Sequence, residues 1–82
     1  MKKGSKYYTG SFTININNYD KYVAFRFFAY NIEDALDKLP EVIQKRIGYI
    51  SESIKNIHIY RKNEIDITFY NWEEMIQQLT VA

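Results

Sequence analysis

Cysteine is absent from this 82-residue chain, so no disulfide framework, thiolate zinc site or cysteine nucleophile can form. A small secreted disulfide scaffold is thereby excluded, and a cytoplasmic home is expected. Glycine is almost as scarce, with three residues at positions 4, 10 and 48. They cannot make G-x-x-x-x-G-K-[ST] or G-x-G-x-x-G, so no phosphate-cradling loop is present. His58 is the single histidine. A zinc site would need three carboxylates beside it, an uncommon ligand set, so no metal or cofactor is expected. Charge of one sign is also missing: 11 Lys and Arg stand against 10 Asp and Glu, a net charge of +1. Neither a strongly basic nucleic-acid binder nor an acidic mimic is indicated by that total. No apolar run approaches the ~18 residues of a membrane span, so no membrane partner is expected. Met1-Lys2-Lys3 leads into Gly4 to Tyr8, which lacks the apolar core of a leader, and the mature chain is expected to be the whole chain.

What is present is the composition of a folded protein, 46% hydrophobic and 26% charged. Its length allows one domain over residues 1–82, with residues 1–6 expected to fray. Phe, Tyr, Ile, Asn and Lys supply 40 of the 82 residues. AT-rich codons encode that set, so nucleotide bias accounts for part of the aromatic content.

Periodicity gives an α+β reading, ordered ββαββα, with a four-stranded, mainly antiparallel sheet and helices packed on one face. Tyr8, Phe12, Ile14 and Ile16 alternate with polar residues, as a strand with one buried face requires. Asn17-Asn18-Tyr19-Asp20 is a turn cluster, so Lys21 to Tyr30 returns as the second strand of a hairpin. That strand is apolar on both faces, which predicts a central position in the sheet. Asn31, followed by Glu33 and Asp34, predicts a capped helix with an apolar stripe through Ile32, Ala35, Leu36, Leu39, Ile43 and Ile47. Pro40 interrupts the stripe and predicts a kink or break after Leu39. Gly48 is the expected stop. Tyr49 to Lys55 reads equally as strand or connection.

Asn56 to Lys62 and Glu64 to Tyr70 form a second hairpin, with Ile57, Ile59, Ile65, Ile67 and Phe69 inward. Asn71 and Glu74 resemble a capping box that opens a short helix facing the sheet through Trp72, Met75, Ile76 and Leu79. The two halves share an architecture, but no residue-level repeat supports duplication.

Catalytic groups are sparse. Ser11, Ser51 and Ser53 lie in no nucleophile-elbow pattern, and the carboxylate pairs occupy first helical turns or exposed helix surface, where capping and solubility explain them. No enzyme is expected. Strand parity instead sends Tyr7, Tyr22, Arg26, Phe28, Tyr30, His58, Tyr60 and Tyr70 to the face that two helices leave bare. The expected function is non-catalytic protein binding through Tyr22, Arg26, Phe28, Tyr30, Tyr60 and Tyr70, since Tyr, Phe and Arg are enriched at interface centres. A phage or mobile-element accessory protein that inhibits a host protein fits this profile. A single-stranded nucleic-acid reader would use Lys2, Lys3, Arg26, His58 and Lys62 around stacking rings, with Glu64 and Asp66 on the same parity opposing it. Self-association into a homodimer, face to face or through an edge strand, is a third reading.

Overall fold

A computed structural model describes residues 4–48 and 53–80. Six elements follow one another: β1 (Lys6–Ile16), β2 (Tyr19–Ala29), α1 (Ile32–Ile47), β3 (Ile54–Arg61), β4 (Ile65–Asn71) and α2 (Trp72–Thr80). The strands form one antiparallel sheet in the order β2-β1-β3-β4, so the expected ββαββα, α+β architecture is the one observed. Lys6 opens β1 opposite Ala29, inside the stretch expected to fray. Lys2 and Lys3 lie outside the described residues, as do residues 49–52 of the segment read as strand or connection; its described end, Ile54 and Lys55, begins β3.

Asparagine makes the turns. Asn17 and Asn18, at φ 54° and 65°, form the two-residue loop that lets Ile16 pair with Tyr19. This left-handed pair matches the twist of the strands it joins, and Asn tolerates it better than most residues. In the second hairpin Arg61 pairs with Ile65 around a three-residue loop in which Asn63 takes φ 64°. Asn56, at φ 53°, lies where the β1–β3 register slips: Ser11 faces His58, whereas Thr13 faces Lys55. β3 therefore carries one residue more than β1 at that point, a bulge that turns both Ile54 and Ile57 toward the core.

β2 is at the sheet edge and β1 is beside the centre, contrary to the expectation from the two apolar faces of β2. Face burial and edge pairing are separate properties of a strand, and side-chain pattern reports on the first alone. Phe25, Phe27 and Ala29 are buried under the helices, while Tyr22 and Phe28 on the reverse side are exposed.

Both helices lie on one face. The core beneath them joins Tyr8, Phe12 and Ile14 of β1 to Phe25 and Phe27, Ile57 and Ile59, Phe69, Leu39 and Ile43 of α1, and Met75 of α2. Ile67, read as inward, is 39% exposed despite sharing parity with Ile65 and Phe69, because β4 is the other sheet edge and the nine-residue α2 leaves that position uncovered.

α1 runs unbroken through Pro40, contrary to the break expected after Leu39. Ala35, Leu39 and Ile43 are all fully buried on one stripe that spans the proline. Burying Leu39 and Ile43 contributes about 1.5–3 kcal/mol each, enough to outweigh the ~3 kcal/mol cost of an interior proline. Pro40→Ala restores the missing donor at an entropic cost of about 1 kcal/mol in the unfolded chain. A net gain of about 2 kcal/mol is expected in urea unfolding, and an unchanged or lower midpoint would contradict it.

The two helix starts are alike. Asp34 N donates to Asn31 Oδ1 at 2.8 Å while Tyr30 N donates to Asp34 Oδ2 at 2.9 Å. Forty residues on, Glu74 N donates to Asn71 Oδ1 at 2.8 Å and Tyr70 N to Glu74 Oε2 at 2.7 Å. The chemistry repeats in sequence as Tyr30-Asn31-Ile32-Glu33-Asp34 and Tyr70-Asn71-Trp72-Glu73-Glu74, continuing to Leu39 and Leu79. This is the residue-level repeat that periodicity alone overlooks. The strands before it differ in length and turn, which hides the alignment. β1 and β3 pair antiparallel between the two ββα halves, so the halves are related by an approximate twofold axis and β2 and β4 are equivalent edges.

Candidate functional site: the open sheet face

Among the described residues, no element lies over the sheet face opposite the helices. Its side chains fall in rows set by the strand register. Phe28 and Tyr7 share the first, with ring centroids 4.2 Å apart. Arg26, Thr9, Tyr60 and Asp66 form the second, and Ala24, Ser11, His58 and Thr68 the third. Tyr22, Thr13 and Lys55 follow, then Asp20 and Asn15. The middle of β1 is thus a strip of small polar residues flanked by rings, with those of Tyr60 and His58 at a centroid distance of 6.1 Å.

The expected interface residues divide. Tyr22, Arg26 and Phe28 lie together on β2, Tyr60 on β3, and Tyr70 on β4; Tyr22 and Tyr70 are the most open of these rings, at 70% and 69% exposure. Tyr30 departs from the group. It follows the last residue of β2, and its ring lies 5.6 Å from Lys38 Nζ on α1, at the sheet margin. Tyr70 makes the same capping bond but is still within β4, whereas β2 ends at Ala29, so Tyr30 lies outside the strand that sets the parity. Lys62 sits in the β3–β4 loop, off the strand. Glu64 is in that loop as well and does not face the open surface with Asp66. Lys6 Nζ lies 2.8 Å and Arg61 Nε 2.5 Å from its carboxylate. Tyr7 and Lys55 complete the face; Tyr7 follows from parity, whereas Lys55 is placed by the bulge at Asn56.

The electrostatics of the face are balanced. Lys55 Nζ is 3.6 Å from Asp20 Oδ2, and His58 Nε2 is 2.5 Å from Asp66 Oδ1. Arg26 has no ion pair or hydrogen bond with a described side chain. The Asn15 amide, donating at 3.0 Å, and then Lys55 hold Asp20 below the usual carboxylate range. The Tyr30 amide and Lys38 do the same for Asp34, and Lys6 with Arg61 for Glu64. Burial, reinforced by Glu64, pushes the Tyr8 phenol up.

Lowered carboxylate values fix the sign of the acid response. Each such group stabilises the fold fully above its ordinary value, 3.8 for Asp20 and Asp34 and 4.5 for Glu64, and loses that contribution as pH falls through its lower folded value. These three groups therefore leave stability level near neutrality and reduce it below about pH 4. Urea midpoints measured from pH 7 to pH 2.5 should show that decline, and Glu64→Gln should make it shallower. An acid limb unaltered by the substitution would remove Glu64 from the account.

Ser11, His58 and Asp66 are neighbours on three adjacent strands, a juxtaposition that chain spacing does not reveal. Acyl transfer would require donors aimed at a developing oxyanion and a cleft for the substrate. The amides of the interior strand β1 are committed to ladders on both sides, and Ser11 is buried at 5% between Ala24 and His58. The small hydroxyl fits the role of a spacer beneath taller neighbours. No helix among the described residues is long and apolar enough to cross a membrane.

Comparison with known protein families, with characterised proteins and with solved structures finds no match to this chain.

Proposed function

We propose that this protein acts by stoichiometric binding of another protein, with the open sheet face as its contact surface and without catalysis. The supporting observation is that face itself: a four-stranded surface uncovered among the described residues, bearing Tyr7, Tyr22, Arg26, Phe28, Tyr60 and Tyr70. Monomers seldom leave apolar patches beyond a few hundred Å², and Tyr and Arg are the residue types that most often dominate interface energetics. Tyrosine adds large contact area for the loss of few rotamers. Lys55 is paired with Asp20, and Asp66 adds a carboxylate to the face; this favours a protein over a polyanion, because a phosphate backbone is held by several unneutralised cations and Arg26 stands without other unpaired cations in its row. The AT-biased composition fits a phage or mobile-element accessory protein whose binding blocks a host protein.

Tyr60→Ala and His58→Ala are the informative variants, since both side chains stand on β3 away from the sheet edges. Each should reduce recovery of the partner tenfold or more, the order expected of a contact at an interface centre. Their thermal stability should stay within about 1 kcal/mol of the parent. Lys45→Ala on the helical side should bind normally. Equal recovery by all three would refute the assignment of the face. Steep loss of binding to oligonucleotides with added salt would redirect it to nucleic acid.

A further inference from the structure

The edge strand β2 has the side-chain pattern of an interior strand. From Tyr22 to Ala29 its one charged residue is Arg26, it contains no proline, and it spans 11 residues. Edge strands ordinarily avoid this combination, because unpaired backbone groups beside apolar side chains recruit other strands. The approximate twofold axis supplies an internal comparison. β4, the equivalent edge, has seven residues against eleven and is followed directly by α2, whereas the charges Asp20 and Lys21 stand at the start of β2 and leave the stretch from Tyr22 to Ala29 with Arg26 alone. Along β2, Lys38 Nζ approaches the Phe28 carbonyl at 3.4 Å, and no other described side chain hydrogen-bonds to the β2 backbone.

We infer that β2 pairs with β2 of a second copy of this chain, antiparallel about a twofold axis through Val23, to form a continuous eight-stranded sheet. Charge complementarity selects this occupant and this register. An axis through Val23 sets residues whose numbers sum to 46 opposite one another, so Asp20 faces Arg26 of the second copy, twice per dimer. Asp20 and Arg26 share outward parity with Tyr22, as Asp20 pairs with Asn15 and Arg26 with Thr9 on the outward side of β1. Arg26, which has no ion pair or hydrogen bond with a described side chain, thereby gains a partner, while Asp20 keeps a lone pair to offer beyond Asn15 and Lys55. In the same register Tyr22 stands beside the small Ala24 of the second copy. Val23, half-buried on the helical side, covers its own equivalent. The pairing consumes an edge and leaves the two aromatic faces side by side and uncovered; of the proposed contact residues it engages Tyr22 and Arg26 on β2, and not Tyr60 on β3 or Tyr70 on β4.

Sedimentation equilibrium across a concentration series, from micromolar upward, tests this. A monomer–dimer equilibrium is expected for the parent chain. Asp20→Arg sets two guanidinium groups against each other and Arg26→Asp two carboxylates, so each should weaken dimerisation roughly tenfold or more. The double variant, Asp20→Arg with Arg26→Asp, re-pairs the charges in reverse and should dimerise like the parent. Both positions are exposed, and circular dichroism checks that each variant is folded. A parent that stays monomeric up to about 1 mM overturns the inference. So does a dimer indifferent to the single reversals, or one that the double variant fails to restore. Tyr60→Ala and His58→Ala should leave the dimer unchanged, which separates failure here from failure of the proposed binding face.

Discussion

Gly10→Ala is expected to destabilise the protein by about 2–3 kcal/mol, although alanine suits a strand better than glycine does. A Cβ at this position would lie 2.4 Å from Cζ and 2.5 Å from Cε2 of Phe25, which faces it across the β1–β2 ladder. Glycine is there because the far end of the ring occupies the space a Cβ would fill. The ring has little freedom to withdraw: Phe12 and Phe27 stand at centroid distances of 6.0 Å, and Arg46 lies over it at 5.4 Å. A double-mutant cycle isolates the effect. With Phe25→Ala as background, Gly10→Ala should cost nothing or stabilise slightly, giving a coupling of about 2 kcal/mol or more. Equal costs in both backgrounds would show that the close approach is not the cause.

Phe12→Ala should have the largest effect of any single truncation, about 3–5 kcal/mol. Phe12 is fully buried on interior strand β1, opposite the bulge, and belongs to the cluster shared with Leu39, Ile43 and Met75. A domain of this length has a total stability of roughly 4–12 kcal/mol. The loss therefore lowers the thermal midpoint by roughly 15 °C or more, and the least stable end of that range leaves the chain unfolded at 37 °C. Phe12→Leu keeps most of the volume and should cost about 1.5 kcal/mol or less. A small loss in the alanine variant would mean that the helices settle into the space.

Much of the core was legible in advance because each inward position is fixed by a period of two or 3.6 within its own element. Phe12, Phe25, Ile57, Phe69 and Leu39 are all buried as their spacing implies. The exposed rings follow from the same parity: once Phe25 and Phe27 are inward, Tyr22, Arg26 and Phe28 must point the other way. Parity fails where the backbone leaves the strand. Tyr30 falls beyond the end of β2, and Glu64 falls in the hairpin loop.

Local chemistry thus determined the elements, the asparagine turns, both helix caps and, Ile67 apart, the inward set, since each depends on residues within a few positions of one another. Tertiary structure alone decided that β1 and not β2 takes the interior place, that α1 continues through Pro40, and that Arg26 and Tyr60 share a row across Thr9. Those outcomes depend on which strands pair and on how much apolar surface the assembled layers bury. Both are energies of the whole fold, and no stretch of chain carries them by itself.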